Sequence, residues 1–347
     1  MSGGTGQTAV LLLAHGTPDV LGEMDEYLRK VTGGRPLPKE AIEELQHRYA
    51  QIGLGETPGA EPPPLTKWTL IQANLLERAL DRAGDSNVRV YVGMRNWHPF
   101  IADTVAKMRA DGVTRIKAIC LAPQNSRTSV GLYRKAVMAA AEGLEVDFVS
   151  GWAEHPLLAQ AFAERLWPVW ALACAESGRR VPVLFTAHSV PCRTVMTGEA
   201  STVGARPGTP AQESPDPYPV EAKRTAELVT QRMAAVGFGD RDWYFAFQSQ
   251  GMSGGPWIGP TVEDTLKAIK AEGHAGVVIQ PVGFLCDHVE ILYDIDIAFT
   301  EQARELGLKL WRAESLNDSE TLIRALTEIA IGQYEPKADE IAAPVQV

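Results

Sequence analysis

The stretch 93-GMRNWHPFIADTVAKMRADGVTRIKAICLAP-123 contains a complete connection between two strands. It begins at the end of an apolar strand, which is followed by a Trp-His-Pro turn, a helical pattern and a second apolar strand. Strands that are joined by a helix usually run parallel. The stretch 251-GMSGGPWIGPTVEDTLKAIKAEGHAGVVIQP-281 repeats this order, with a Trp near Pro, a helix, an acidic residue followed by Gly, and a strand that ends in Pro. The sequence therefore predicts two related halves.

The strands that begin the two halves are also similar. Both 10-VLLLAHGTP-18 and 183-VLFTAHSVP-191 are apolar strands that end in Ala, His, a small residue and, two positions later, Pro. Ligands of open parallel sheets collect at the carboxyl ends of the strands. We therefore expect His15 and His188, one from each half, to face a shared cleft.

Strands and helices alternate along the whole chain, which is typical of α/β proteins. The predicted strands are 8–15, 88–94, 115–122, 146–150, 182–188, 243–249 and 276–282, and the predicted helices are 38–52, 65–83, 99–112, 155–176 and 262–273. Near-continuous apolar strands favour parallel sheets that are covered on both faces. We predict an α/β fold of two Rossmann-like lobes, each a parallel sheet flanked by helices, with the active-site cleft between them.

The predicted N-terminal lobe spans residues 1–150 and the C-terminal lobe spans 151–334, with a last helix that can pack back on the N-terminal lobe. Residues 335–347 are expected to form a flexible tail. Residues 52–64 and 197–217 are rich in Gly, Pro, Ser and Thr and are predicted to be loops. The second loop is long for a compact domain, which suits either a functional lid or a disordered insertion.

The composition excludes several classes of protein. A formal net charge of −10 argues against nucleic acid as a partner, because nucleic-acid binding needs a basic surface. No apolar run reaches the ~18–20 residues that span a bilayer, and the N-terminus lacks the positive charge of a signal peptide. We expect a cytoplasmic protein without a membrane span; the sequence is compatible with a monomer and with peripheral membrane contact. Its four cysteines lie far apart, as is typical of reduced thiols.

A group of polar residues lies within the otherwise apolar stretch 281-PVGFLCDHVEILYDID-296. Asp287, Glu290 and Asp294 follow the spacing i, i+3, i+7, which predicts one stripe of a helix, with His288 and Asp296 as its other polar residues. Like charges on one stripe repel each other unless a cation or protons occupy it. Carboxylates beside an imidazole suit a divalent metal such as Fe²⁺. The alternative is an ordinary solvated helix face.

Eight blocks of sequence carry a resemblance to a known family. In chain order they are LLLAHGTP, GRPLP with HRYAQIG, YVGMRNWHPFI, LAPQNS, FTAHSVP, DPYP, FQSQGMSGGPWIGP and PVGFLCDHVEILYDID. With these blocks the chain resembles the ferrochelatases, which insert Fe²⁺ into a porphyrin to make haem. The resemblance extends from about residue 8 to 330, and it implies porphyrin and ferrous iron as substrates.

The resemblance also implies roles for individual residues. His188 matches the active-site histidine and Glu290 matches its carboxylate partner across the porphyrin, so both are expected to be catalytic and to contact the metal. Asp287, His288 and Asp294 match neighbouring positions that handle metal and protons. The residues implied to bind the porphyrin are His15, Arg35, Arg48, Arg95, Asn96 and Trp257. Two pyrrole protons must leave as the metal enters, and histidine suits this task because its pKa lies near working pH.

His15 departs from the family pattern. The residue between Ala14 and Gly16 is usually Tyr in coproporphyrin-type enzymes and Met or another apolar residue in many protoporphyrin-type ones. Imidazole is a good ligand for haem iron, so we predict that His15 ligates iron in the product complex. The alternative is that His15 only hydrogen-bonds near a propionate or the next loop. The blocks FQSQG…PWIGP and DHVEILYDID favour the coproporphyrin type, with protoporphyrin IX as the other candidate substrate.

Two other functions are compatible with the same scaffold. One is a cobalt chelatase of the corrin pathway, and the other is a non-catalytic haem-binding protein, which would not need a proton-accepting carboxylate opposite His188. Some relatives bind a [2Fe–2S] cluster through a cysteine-bearing C-terminal extension. This chain has no cysteine after Cys286, so no iron–sulfur cluster is expected.

Overall fold

A computed structural model describes residues 6–202, 211–251 and 255–334 of the protein. The strands are β1 (Gln7–Ala14), β2 (Arg89–Met94), β3 (Val113–Cys120), β4 (Glu145–Val149), β5 (Val183–His188), β6 (Trp243–Gln248), β7 (Gly276–Pro281) and β8 (Lys309–Arg312). The α-helices are α1 (Met24–Val31), α2 (Lys39–Gln51), α3 (Pro64–Ala83), α4 (Ile101–Ala110), α5 (Val130–Ala140), α6 (Pro156–Ser177), α7 (Tyr218–Met233), α8 (Val262–Ala271), α9 (Val289–Leu292), α10 (Thr300–Glu305) and α11 (Glu320–Ala330). A π-helix, Asp294–Phe299, lies between α9 and α10.

The chain divides into two compact units. The first contains the residues up to Pro123, then Arg127–Trp152 and the segment that starts at Asn317; the second contains Gln124–Ser126 and Ala153–Leu316. Helix α11 therefore belongs to the first unit, where it packs against α3. The first unit is assembled from both ends of the chain.

Each unit contains one four-stranded parallel sheet, and the two sheets have the same strand order. The orders are β2-β1-β3-β4 and β6-β5-β7-β8, and every neighbouring pair is parallel. The turns after β2 and β6 also match, because Met94 N–H donates to Pro99 and Phe247 N–H donates to Pro260, at 2.7 and 2.8 Å. The predicted α/β fold of two related parallel sheets is confirmed.

Apolar side chains explain how the helices pack on the sheets. In the first unit, Leu11 and Leu13 of the central strand are fully buried in a cluster with Val105 of α4 and Val137 of α5. In the second unit, a corresponding cluster joins β7 and α8 to residues of α9 and the π-helix. Burying one aliphatic side chain of this size contributes about 1.5–3 kcal/mol. These clusters hold the carboxyl ends of the strands in fixed positions.

The predicted strands agree with the observed ones to within two residues at each end. Helix α4 starts at Ile101, later than predicted, because Phe100 still has an extended backbone (φ −65°, ψ 146°). Strand β8 has only four residues, too few for a periodic signal, and was not predicted. Residues 203–210 of the predicted loop and the predicted tail 335–347 lie outside the described residues. In the part of the chain that is described, no helix is long and apolar enough to cross a bilayer.

Candidate active site

His188 is the last residue of β5, which lies between β6 and β7 in its sheet. Its Nδ1 is hydrogen-bonded to the carbonyl oxygen of Ser189. Because a carbonyl only accepts, Nδ1 must carry a proton and donate. Nε2 is then turned towards Glu290, whose Oε1 lies 3.2 Å away, and about a third of each side chain is exposed (32% and 31%).

Glu290 lies in the first turn of α9 and contacts a second histidine. His288 donates from Nδ1 to the carbonyl of Cys286 at 2.9 Å, and its Nε2 lies 3.4 Å from Oε2 of Glu290. Each carboxylate oxygen thus faces one imidazole nitrogen. Since Nδ1 of His188 already carries a proton, Nε2 of a neutral ring would point a lone pair at the carboxylate. The 3.2 Å contact therefore fits a ring that is also protonated at Nε2.

The charges of this pair shift both pKa values. Burial on its own lowers the pKa of His188, but the charge and hydrogen bond of Glu290, with smaller contributions from the Ser189 carbonyl and Asp294, raise it above its ordinary value. Burial likewise raises the pKa of Glu290, yet His188 and His288 hold the pKa of this carboxyl well below its usual range. These opposite shifts favour an imidazolium at His188 beside a carboxylate at Glu290.

Trp257 forms an aromatic wall beside His188, with ring centroids 6.2 Å apart. The segment around it is fixed by backbone hydrogen bonds, from Ile258 to Val190 (3.0 Å) and from Cys192 to Pro256 (2.8 Å). A Cβ at Gly251 would lie 2.6 Å from the Trp257 ring, so only glycine allows the ring to pack there. The tryptophan predicted to bind porphyrin therefore lies next to the predicted catalytic histidine.

Tyr218 lies beside His188 and Glu290 and was not predicted from the sequence. It is buried at the start of α7, its backbone N–H is bound by Asp216 Oδ1 at 3.1 Å, and its side chain is hydrogen-bonded to the backbone of His188. Burial and the charge of Glu290 raise the pKa of its hydroxyl. The signal in the sequence was DPYP, in which the Asp is a helix-start residue and Pro is suited to the first helical turn.

Gln248 and Ser249 connect the end of β6 to the acidic segment. Gln248 is almost fully buried and donates from Nε2 to the backbone carbonyl of Glu290 at 2.8 Å. Ser249 has a positive φ of 60°, a strained value for a residue other than glycine. In this conformation its hydroxyl donates to Oδ2 of Asp294. Asp294 is thus buried, held by β6, and close enough to His188 to affect its pKa.

The prediction of a single helical stripe over Asp287, Glu290 and Asp294 is wrong. His288 has an extended backbone (φ −161°, ψ −174°), so Asp287 precedes the helix. Asp294 begins a π-helix, marked by the hydrogen bond from Ala298 N–H to the Tyr293 carbonyl at 3.0 Å. A π-turn holds more residues than an α-turn, so the α-helical spacing rule does not apply across this segment.

The five predicted metal ligands accordingly separate into groups. His188, Glu290 and His288 touch in a row, and Asp294 acts on His188 through its charge. Asp287 instead accepts from Ser315 Oγ at 2.7 Å and pairs with Arg312 at 3.4 Å. Within the described ranges, no three His, Cys, Asp or Glu side chains are grouped so that they could hold a metal ion. The roles of these residues as metal ligands stay predictions.

In the first unit, His15 directly follows β1 and is half-buried. Asn96 Nδ2 donates to its Nε2 at 2.9 Å, so Nε2 accepts. The proton is then on Nδ1, which lies 3.1 Å from the Gly16 carbonyl and 3.2 Å from the Tyr27 hydroxyl. Gly16 has a φ of 89°, and a Cβ there would lie 2.7 Å from the backbone nitrogen of Trp97. Protein groups therefore occupy both ring nitrogens of His15.

The three arginines that the sequence predicts for porphyrin binding also lie in the first unit. The Arg95 guanidinium is 5.6 Å from the centre of the Tyr133 ring, and its Nε is buried without a hydrogen-bond partner among the described residues. Arg48 pairs with Glu44 on α2 at 2.9 Å, and Arg35 is exposed and donates to the Thr32 carbonyl at 3.2 Å. Binding of an acidic ligand by these side chains stays a prediction.

The comparison with protein families covers nearly all of the chain. A family model described as Ferrochelatase matches residues 7–333. The chain belongs to the ferrochelatase family. This ferrochelatase is therefore an enzyme, a metal chelatase of the lyase class, and the alternative of a non-catalytic protein is set aside.

The named relatives of this chain are bacterial ferrochelatases. A ferrochelatase of Acidobacterium capsulatum is 57% identical over 326 residues, which cover 93% of this chain and 94% of the relative. A coproporphyrin III ferrochelatase of Geobacillus kaustophilus is 30% identical over 335 residues, which cover 95% and 97%. Both similarities cover more than nine tenths of this chain and of the relative.

Solved structures show a shared fold at low sequence identity. The cobalt-bound sirohydrochlorin chelatase SirB of Bacillus subtilis subspecies spizizenii has a TM-score of 0.51 and 10% identity to this ferrochelatase, covering 94% of this chain and 96% of that chain. At this identity the likeness supports the chelatase fold and no choice of metal. The cobalt-chelatase alternative shares the fold, whereas the high-identity relatives are ferrochelatases.

The contacts of His15 favour a pocket residue over an iron ligand. We expect the ferric product complexes of wild type and His15→Met to have the same absorption and EPR spectra, because Nε2 already accepts from Asn96. Asn96→Leu is the matched variant, since it removes this donor and leaves Nε2 available to a metal. A nitrogen-ligand signature in the wild type that disappears in His15→Met would show that His15 ligates iron after all.

Proposed function

We propose that the enzyme inserts Fe²⁺ into coproporphyrin III, with release of two protons, as a step of haem biosynthesis. The observation that carries the proposal is the contact of 3.2 Å between the imidazole of His188 and the carboxylate of Glu290 at the end of β5. Iron and porphyrin are the two substrates, and we propose no resident cofactor and no iron–sulfur cluster. A cytoplasmic location stays a prediction.

Insertion requires groups that take protons from the pyrrole nitrogens as the metal enters. In the free site, His188 is protonated more readily than an ordinary histidine, because Glu290 stabilises the imidazolium. It becomes a base once that proton has left, and an arriving divalent cation favours this step because like charges repel. Glu290 keeps the imidazole turned towards the reaction and is itself a ligand of the type that Fe²⁺ accepts.

His288 offers a route by which protons leave. It faces the second oxygen of Glu290 at 3.4 Å, and 15% of its side chain is exposed. The three groups form the row His188, Glu290, His288, in which the carboxylate lies between two imidazoles. A proton that His188 takes up can thus pass along Glu290 to His288, which frees His188 for the second pyrrole proton.

The choice of porphyrin is argued from the number of propionates and from named relatives. Coproporphyrin III carries four propionates where protoporphyrin IX carries two propionates and two vinyl groups. Relatives at about 30% identity are named coproporphyrin III ferrochelatases. We infer that Arg35, Arg48 and Arg95, with Asn96, include the donors for the additional propionates, because arginine binds carboxylates through charge-assisted hydrogen bonds.

Insertion assays with each candidate substrate in turn test this function. Purified enzyme is mixed anaerobically with Fe²⁺ and either coproporphyrin III or protoporphyrin IX, and insertion is followed by the porphyrin absorption bands. We expect kcat/KM to be about tenfold or more higher for coproporphyrin III, because one more charge-assisted hydrogen bond contributes about 1.5–3 kcal/mol. Co²⁺ with sirohydrochlorin forms a third arm.

The outcomes separate substrate from reaction. A higher kcat/KM for protoporphyrin IX would reverse the substrate assignment and keep the reaction. Turnover of sirohydrochlorin alone would move the enzyme to the other chelatase class. Absence of insertion into any of the three tetrapyrroles would refute the proposed function.

A further inference from the structure

A cluster of charges lies behind the acidic segment, on the last strand of the second unit. Arg312 of β8 holds Asp296 through two hydrogen bonds, from Nε at 2.5 Å and from Nη2 at 3.0 Å. Its Nη1 lies 3.4 Å from Asp287, which also accepts from Ser315 Oγ at 2.7 Å. Only 17% of the Arg312 side chain is exposed. One guanidinium therefore binds two carboxylates.

The two carboxylates lie on either side of Glu290 along the chain. Asp287 is three residues before Glu290, and Asp296 is six residues after it. Between them, α9 has only four residues and continues into the π-helix. A helix this short has no stability of its own, so the position of Glu290 depends on whatever anchors the segment.

The segment has apolar anchors on one side and polar anchors on the other. Ile291 and Ile295 are fully buried in the core of the second unit and set the depth of the segment. Gln248 binds the Glu290 carbonyl, and Arg312 contacts charged residues on both sides of Glu290. Asp287 and Asp296 repel each other through space. Without the guanidinium, this repulsion would drive them apart and move the chain between them.

We propose that Arg312 is a positioning residue for metal insertion, which sets the distance between Glu290 and His188 by holding Asp287 and Asp296 together. The inference rests on the proposed function, because metal insertion is the reaction in which Glu290 acts. A displacement of about 1 Å in a catalytic group can lower a rate by about 100-fold. Arg312 touches neither His188 nor Glu290 and acts through the backbone.

The test compares Arg312→Met with Arg304→Met. Arg304 pairs with Glu301 on α10 in the same unit, but 75% of its side chain is exposed, so it controls for loss of one arginine. We expect Arg312→Met to lower kcat about 10- to 100-fold per porphyrin-binding site, with KM for Fe²⁺ and Kd for coproporphyrin III within about twofold of wild type. Sites are counted by quenching of porphyrin fluorescence, which excludes unfolded molecules.

Two milder variants keep the test decisive if Arg312→Met does not fold. Arg312→Lys keeps the charge but cannot bind two carboxylates at once, and Ser315→Ala removes one bond to Asp287. We expect both to lower kcat by less than Arg312→Met and to leave KM unchanged. Wild-type kcat in both of them, or a raised KM with unchanged kcat, would overturn the inference. If wild type itself inserts no metal, the proposed function fails instead.

Discussion

Replacing His188 by Ala or Glu290 by Gln is expected to lower kcat for metal insertion by roughly 100- to 10,000-fold, the usual contribution of a general acid–base group. His188→Ala removes one partner of the 3.2 Å contact at the end of β5, and Glu290→Gln removes the negative charge of the other. Their coproporphyrin affinity should stay within about threefold of wild type, because the ring is expected to bind mainly through apolar walls such as Trp257. The measurements are single-turnover insertion under anaerobic conditions and porphyrin fluorescence quenching.

The two substitutions should not be additive, because the residues act as one unit. The double variant is therefore expected to be about as slow as the slower single variant. His274→Ala and Glu301→Gln remove the same types of side chain from other parts of the second unit and should leave kcat unchanged. Turnover near the wild-type rate in either His188→Ala or Glu290→Gln would show that the assignment of the pair is wrong.

Activity is expected to rise with pH, by up to about tenfold per unit, until His188 has lost its proton. The sign follows from the raised pKa of His188: below that pKa the imidazolium cannot accept a pyrrole proton, and above it the neutral ring can. The acidic limb of the pH profile of kcat/KM should therefore give an apparent pKa above that of an ordinary histidine, about 6.5. The limb reports an apparent pKa of the coupled pair.

Asp294→Asn tests the origin of this limb. The charge of Asp294 contributes to the raised pKa of His188, so its removal should move the limb to lower pH. Asp264→Asn is the control, because Asp264 is exposed on α8 and pairs with Lys267. A limb at the same pH in Asp294→Asn and wild type, or one that moves to higher pH, would contradict the assignment of the limb to His188.

The repeat of strand, helix and strand was sufficient to predict the fold. Periodicity within about ten residues is a local property, and each predicted strand ends within two residues of the observed one. The similarity of 10–18 to 183–191 predicted equivalent strands, and β1 and β5 indeed occupy the same place in the two strand orders. The positions of His15 and His188 at strand ends followed from that similarity. The role of Glu290 came from the family resemblance, since spacing alone also suggested Asp287.

The sequence by itself thus determined two parallel sheets, the strand ends that carry the histidines, and the acidic segment that follows β7. Only the tertiary structure decided which acidic residues contact His188 or affect its pKa. Asp287 and Asp296 bind Arg312, which lies on a strand that was not predicted. Asp294 instead accepts a hydrogen bond from Ser249, the residue that follows β6. The physical reason is that a partly buried carboxylate needs a cation or hydrogen-bond donor. Here those partners come from β6, β8 and the residues that follow them, at sequence distances that periodicity does not reach.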